Sequence, residues 1–169
     1  MVALRRYRRG FTLIELVIAI FVLLMMVLTG MPAFTNMMAQ RRLMGAVGRV
    51  SADLRFIQSQ AVRLGYKHQL SYAAGSYTLQ KFNTATNAWV SLGPSYSVAT
   101  DYTGVSLASI IDNAGAGVNV TAIWFRPQGD VDPANPAAVT FPIVLTVSGP
   151  AGTRAIQVTR SGSIRMPAN

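Results

Sequence analysis

The fold is decided by the stretch Arg8-Arg9-Gly10-Phe11-Thr12-Leu13-Ile14-Glu15, where a basic leader meets a long apolar run. The run from Phe11 to Met31 contains 21 residues. As an α-helix rising about 1.5 Å per residue it would measure about 31 Å, which matches the ~30 Å hydrocarbon core of a bilayer. The sequence therefore predicts a transmembrane helix near the N-terminus.

Glu15 is the one charged residue inside this run, and no charged side chain occurs from Leu16 to Gln40. A carboxylate costs roughly 2.5–3.5 kcal/mol near the centre of a span and less near its end, so it requires a partner. The small-residue junction Gly10–Phe11 precedes the apolar run, whereas a secretory cleavage site follows one. Cleavage there would keep the helix and create an amine at Phe11, about one helical turn from Glu15. We therefore predict charge pairing between neighbouring helices during assembly.

The motif Gly10-Phe11-Thr12-Leu13-Ile14-Glu15, with its basic leader and the span behind it, resembles the class III signal of type IV pilins and type II secretion pseudopilins. The resemblance implies that a prepilin peptidase cleaves between Gly10 and Phe11 and N-methylates Phe11. It also implies that Glu15 helps to set the register between subunits, which contact one another through the N-terminal helix. The alternative is an ordinary signal anchor in which the glutamate occurs by chance.

The leader also predicts the orientation of the chain. Four of its residues are arginines, Arg5, Arg6, Arg8 and Arg9. By the positive-inside tendency they place the N-terminus in the cytoplasm, so that everything after about Gln40 is exported across the inner membrane into the periplasm. Removing the leader lowers the formal net charge from +9 to +5. The chain has no cysteine, and the exported domain is therefore expected to rely on its core for stability, without disulfides.

A second helical pattern follows the span. Beyond Pro32, apolar residues recur in alternating steps of four and three, which keeps one helix face apolar. These residues are Leu43, Val47, Val50, Leu54, Ile57, Ala61 and Leu64. The stripe predicts a helix packed on a sheet, with a coiled coil as the alternative, and Gly65 is expected to end the helix. We divide the chain into a leader (1–10), a transmembrane and assembly helix (11–40), an amphipathic helix (41–65) and a periplasmic β-rich domain (66–169).

After Gly65 the apolar period changes to two, which predicts antiparallel strands. The expected strands are His68–Ala73, Ser76–Phe82, Ala88–Leu92, Val105–Ile111, Val118–Arg126, Val139–Val147 and Arg154–Arg160. The first two are expected to pair as a hairpin, with Leu70 and Tyr72 facing Tyr77 and Leu79. Pro142 indicates an edge position or a bulge, because proline donates no ladder hydrogen bond. The rest of 94–117 is expected to be an irregular connection, 127–136 a loop and 163–169 a tail. One long helix followed by antiparallel strands is an α+β arrangement.

This order of elements resembles the GspH/FimT group of minor pilins and pseudopilins. In the C-terminal half, the resemblance depends on Ile123-Trp124-Phe125-Arg126-Pro127-Gln128-Gly129 and on Ser161-Gly162-Ser163-Ile164. The lack of cysteines departs from members that clip their C-terminal region. The resemblance implies a pilin fold and a non-enzymatic minor subunit of a type IV pilus or a type II secretion pseudopilus.

Three arginines near the C-terminus raise an alternative function. Arg154, Arg160 and Arg165 are close in sequence, and basic side chains bind nucleic-acid phosphates. FimT-like minor pilins are associated with DNA uptake in natural transformation through arginines near the C-terminal tail, so the resemblance implies DNA as an alternative partner. The arginine motif of that group is incomplete here, because Ser163 occupies part of the region and Ile164-Arg165 is all that matches after it. A solvated strand face is the plainer interpretation of the three arginines.

The remaining polar residues predict no catalytic residue, no cofactor and no metal. Paired catalytic carboxylates, a Ser/His/Asp order and a phosphate-binding glycine loop are all lacking in the sequence. Asp130 and Asp132 could begin a calcium site, but no EF-hand pattern follows them, and a loop turn is expected. The single His68 has no cysteine or histidine cluster for zinc and is expected to be a strand or surface residue.

Overall fold

The structure, a computed structural model, describes residues 11–73, 75–111, 120–132 and 139–167. Over these residues the chain is a long N-terminal helix packed on antiparallel sheets, which confirms the predicted α+β class. The chain divides into two compact units, Met1–Met38 and Ala39–Asn169. The boundary falls inside the long helix, α1, which spans Leu13–Leu64.

In the first unit, α1 has no buried side chain. Every residue from 11 to 38 is exposed, and the helix continues through Pro32. By length and composition this helix includes a segment able to cross a membrane. Its apolar surface is therefore left for lipid or for other helices to cover.

In the second unit, one face of α1 is buried. The predicted stripe is confirmed from Leu43 to Ala61, and Ala46 and Ser51 complete the buried face. Leu64 is 41% exposed, so its place in the stripe was wrong. Gly65 follows the helix with φ +73°, and its N–H donates to the carbonyl oxygen of Ala61 at 3.1 Å. Because glycine adopts a positive φ without steric cost, Gly65 ends the helix as predicted.

The strands alternate with short turns over the rest of the second unit. They are β1 (His68–Ala73), β2 (Ser76–Asn83), β3 (Ala88–Ser91), β4 (Tyr96–Ser97), β5 (Ser106–Ile111), β6 (Ala122–Phe125), β7 (Ile143–Gly149), β8 (Gly152–Val158) and β9 (Ile164–Arg165). A short helix, α2 (Val98–Asp101), separates β4 from β5. The sequence missed β4 and α2 because their Ser- and Ala-containing segment has no clear apolar period.

The first sheet has the order β3-β2-β1-β6, with β4 paired to β2, and all its pairs are antiparallel. In the β1–β2 hairpin, Leu70 lies opposite Leu79 and Tyr72 opposite Tyr77. The alternation of apolar residues predicted this pairing, because a shift by one residue would turn every side chain to the other face. β6 is shorter than the strand predicted for 118–126, of which residues 118 and 119 lie outside the described residues.

The second sheet has the order β5-β7-β8-β9. β7 lies between β5 and β8, so the edge position predicted from Pro142 is wrong. The strand begins at Ile143, after the proline, and the missing N–H therefore removes no hydrogen bond from it. The register irregularity in this sheet lies at Leu107/Ser109 of β5, and not at Pro142. The predicted tail was also wrong, because part of it pairs with β8 as β9.

A single apolar core joins the buried face of α1 to both sheets. Its strand members include Leu70, Tyr77, Leu79, Leu107, Ile110, Ile123, Phe125, Ile143, Leu145, Val147, Ile156 and Val158. Full burial of one aliphatic or aromatic side chain is worth about 1.5–3 kcal/mol. The stripe on α1 is therefore the element that fixes the helix to the sheets.

Gln58 of α1 adds a polar contact at the edge of this core. Its Nε2 donates to the carbonyl oxygens of Gly129 at 2.6 Å and of Gly162 at 2.9 Å. Gly162 has φ +81°, and a Cβ there would meet the carbonyl oxygen of Gly129. The two sequence segments that carried the resemblance in the C-terminal half thus meet on α1 through one amide.

A second polar contact lies where α1 faces β2 and β4. Asp53 accepts a hydrogen bond from Arg49 Nε at 3.1 Å and another from the Tyr77 hydroxyl at 2.5 Å. The Arg49 guanidinium also lies 5.2 Å from the centre of the Tyr96 ring. Burial, followed by the bond to Asp53, raises the pKa of Tyr77 above its usual range. The hydroxyl therefore stays protonated and remains the donor to Asp53.

Candidate functional site

The candidate processing site is the junction of the leader with α1. Gly10 lies outside the described residues, and Phe11 is 82% exposed just before the helix begins. The exposed apolar helix follows without interruption. Phe11 is therefore accessible, and a chain that began at Phe11 would keep the whole of α1.

Thr12 and Glu15 form a capping box at the start of α1. The Glu15 amide donates to the Thr12 hydroxyl at 3.3 Å, and the Thr12 amide donates to the Glu15 carboxylate at 3.4 Å. Such reciprocal bonds satisfy amides that have no partner inside a helix. The sequence analysis missed this role, although the spacing Thr12-Leu13-Ile14-Glu15 was its signal.

The surroundings of Glu15 are apolar. Leu13, Ile14, Leu16 and Val17 are all more than half exposed. Among the residues that the structure describes, no cationic side chain forms an ion pair with Glu15. Pairing of this carboxylate with a positive group outside the described residues stays a prediction.

The three C-terminal arginines do not share one surface. Arg154 of β8 has the same strand parity as the buried Ile156 and Val158, and lies on the core-side face of the sheet. Arg165 of β9 lies opposite Gln157, on the other face. Arg160 is exposed in the turn between the two strands, where its carbonyl oxygen accepts a hydrogen bond from Val131. The structure therefore separates Arg154 from Arg165.

Asp130 and Asp132 each form an ion pair with a different cation. Both Asp130 oxygens accept hydrogen bonds from the guanidinium of Arg126, one of them at 2.9 Å from Nε, and Asp132 lies 2.7 Å from Lys67 Nζ. The Arg126 hydrogen bonds lower the pKa of Asp130 and raise that of Arg126. Asp130 therefore forms an ion pair within the 126–132 loop, and Asp132 joins this loop to Lys67, the residue before β1.

Two comparisons of this sequence with known proteins bear on the leader junction. Residues 5–31 match the model of the prokaryotic N-terminal methylation motif. This match covers the leader junction, Glu15 and the exposed apolar part of α1. Comparison of the sequence with curated proteins gives no match.

Solved structures with a similar fold come from two systems. The minor pseudopilin EpsH from the type II secretion system of Vibrio cholerae has a TM-score of 0.57 at 11% identity, over 77% of this chain and 95% of that one. The type IV minor pilin FimU of Pseudomonas aeruginosa has a TM-score of 0.53 at 12% identity, over 76% and 90%. At this level of identity the similarity is one of fold.

Proposed function

We propose that this chain, whose methylation motif and fold support its assignment to the type IV pilin and pseudopilin family, is a minor subunit of a type IV pilus or a type II secretion pseudopilus. The observation that carries the proposal is the exposed apolar part of α1 directly behind the methylation motif. In this proposal the span holds the chain in the inner membrane, with the N-terminus in the cytoplasm and the second unit in the periplasm. The same apolar surface then packs against the helices of other subunits.

Processing and assembly are linked by charge in this proposal. Cleavage after Gly10 creates a positive amine at Phe11, next to the capping box of Thr12 and Glu15. The Glu15 carboxylate is costly in lipid without a cation, and a neighbouring subunit supplies such an amine only after its own leader is removed. The uncleaved precursor therefore lacks the group that pairs subunits at a fixed stagger.

Intact-mass analysis of the chain from membranes tests the processing step. The mature protein should begin at Phe11 and carry one N-methyl group, whereas Gly10→Leu should leave the precursor uncut. Gly30→Ala is the matched control, because a Cβ at Gly30 has open space around it and lies far from the junction. A mature chain that begins at another residue would contradict the interpretation of the leader as a class III signal.

Two variants of Glu15 separate its charge from its capping bond. Glu15→Gln keeps a side chain that can complete the capping box but removes the charge, and Glu15→Ala removes both. Both variants should insert into membranes and be cleaved, and both should be poorly recovered in sheared filaments or in crosslinked subunit complexes. If Glu15→Gln is recovered like the wild type, the capping bond and not the charge is what assembly requires.

DNA binding remains the alternative, since Arg160 and Arg165 are exposed and form no ion pair with any described carboxylate. If the alternative holds, the full chain in detergent binds duplex DNA, and the double variant Arg160→Ala/Arg165→Ala lowers the slope of log affinity against log salt by about 0.9 per lost contact. Arg154→Ala is the control on the other face. Absence of binding at low salt would leave the structural role alone.

A further inference from the structure

A groove of about 320 Å³ opens in the second unit, between the last turns of α1 and the first sheet. We call it the His68 groove, because His68 of β1 lines it and is completely buried. The other residues that line it are mainly apolar, with Gln60 as the polar exception: Phe56, Gln60, Leu64, Leu79, Leu92, Gly93 and Tyr96. A concave apolar site with few polar groups is the usual form of a binding pocket, and its volume is at the small end of the range.

The hydrogen bonds of His68 define what the groove can recognise. Nδ1 lies 3.0 Å from the carbonyl oxygen of Tyr66. A carbonyl only accepts, so Nδ1 must carry the proton, and in the neutral ring Nε2 is an acceptor. Nε2 is buried and has no hydrogen-bond partner in the described structure. Because a buried polar atom without a partner is rare, this nitrogen indicates a missing donor.

The rim of the groove differs from its floor. Phe56, Leu64 and Leu92 are each more than 40% exposed, whereas His68 and Leu79 are buried. A pocket surrounded by exposed apolar side chains is typical of a protein interface, where one anchoring side chain fills the pocket and the rim excludes water.

We propose that the His68 groove binds a tyrosine side chain of a partner polypeptide. The ring packs among Phe56, Leu64 and Leu92, and the hydroxyl donates to Nε2 of His68. Tyrosine fits because its donor is at the tip of the ring, farthest from the backbone. Nε2 has almost no accessible surface in the free chain, so the side chains that line the groove must move for the hydroxyl to reach it. Phenylalanine has no donor, and the N–H of tryptophan is on the side of its ring. This site goes beyond the proposed function, since it does not depend on which machine the chain serves.

His68 is the single histidine of the chain, so its ring nitrogens are a unique spectroscopic probe. The full chain, labelled with ¹⁵N-histidine and held in detergent at mildly alkaline pH, is titrated with N-acetyl-tyrosinamide and, as matched control, N-acetyl-phenylalaninamide. The tyrosine probe should move the Nε2 resonance in a saturable way and bind roughly fivefold more tightly than the control, as expected for one added hydrogen bond. An Nε2 resonance that does not move under tyrosine, or moves equally under both probes, overturns the proposal.

His68→Phe tests the same bond from the protein side. This variant should still bind the phenylalanine probe but lose the roughly fivefold preference for tyrosine. A preference that survives in a folded variant overturns the role of Nε2, and the wild-type titration stands independently if the variant does not fold. A third probe, p-cresol, distinguishes a small-molecule site. If p-cresol binds and N-acetyl-tyrosinamide does not displace it, the groove excludes a backbone and docking of a polypeptide is ruled out.

Discussion

The two parts of α1 are equally helical, but they differ in what surrounds their apolar residues. From 11 to 38 every side chain is exposed, whereas the stripe from Leu43 to Ala61 is buried against the sheets. The first part is apolar on nearly all sides, whereas the second part keeps most of its large apolar residues on one face and carries its arginines outside that face. The distribution of apolar residues around the helix therefore decides whether a segment is covered by its own domain or by other molecules.

This difference separates two kinds of mutational effect. Substitutions in the first part change side chains that are exposed in this structure, so they should leave the stability of the second unit unchanged. Substitutions in the second part remove contacts within the chain. Both tryptophans, Trp89 and Trp124, lie in the second unit, and their fluorescence therefore reports its unfolding alone.

The largest expected difference is between two leucines. Leu54→Ala should lower the free energy of unfolding of the second unit by roughly 2–5 kcal/mol, because Leu54 is fully buried and its truncation leaves a cavity. Leu24→Ala is the matched variant in the first part, where Leu24 is 56% exposed, and it should change this energy by less than about 0.5 kcal/mol. Guanidinium unfolding of the full chain in detergent, followed by tryptophan fluorescence, measures both. Equal losses would show that the two parts are not independent.

Two glycines provide the next comparison. Gly162→Ala should cost roughly 2–3 kcal/mol, since its positive φ disfavours a side chain and the new Cβ would meet the carbonyl oxygen of Gly129. Gly30→Ala in the first part meets nothing and replaces a helical glycine, so it should leave unfolding of the second unit unchanged. The same unfolding measurement applies, and a Gly162→Ala variant as stable as the wild type would contradict the close approach of the two loops.

The amide of Gln58 should contribute less than the core. Gln58→Ala leaves two carbonyl oxygens, those of Gly129 and Gly162, without this donor, and should cost about 1–2 kcal/mol. Thr29 is the control in the first part, because its hydroxyl donates within the same helix, to the carbonyl oxygens of Met25 at 2.9 Å and Met26 at 3.2 Å. Thr29→Ala should have no measurable effect on tryptophan-detected unfolding. A neutral Gln58→Ala would mean that the amide does not connect the helix to the loops.

The smallest expected effect is on the free energy of unfolding of the second unit at acidic pH. Since hydrogen bonds from Arg126 hold the pKa of Asp130 below its ordinary value of 3.8, the folded state favours the ionised carboxyl. This contribution is present above pH 3.8 and is lost as the pH falls through the lower folded pKa. Because the pair is partly exposed, the change should be below about 1 kcal/mol. Asp130→Asn should lose this part of the pH dependence of unfolding, and an unchanged acid profile would contradict the pairing.

The features that the sequence predicted correctly have local causes. The apolar N-terminal helix, the stripe up to Ala61, the end of the helix at Gly65 and the β1–β2 register follow from side-chain periodicity and from the backbone freedom of glycine. For the candidate site, the sequence identified Gly10, Phe11 and Glu15 as one motif, and residues 5–31 match the methylation model. The capping bond between Thr12 and Glu15 also has a local cause, the three-residue spacing of the two side chains, but it was not predicted.

The features that only the tertiary structure decided depend on partners distant in sequence. The central place of β7 and the contact of Gln58 with two loops join residues up to 104 positions apart. The pairing of β9 puts Arg165 on the face opposite to Arg154, although the two are close in the chain. Periodicity tells which side chains share a face of one strand, but not which strand lies beside it, because strand order follows from how the core is filled.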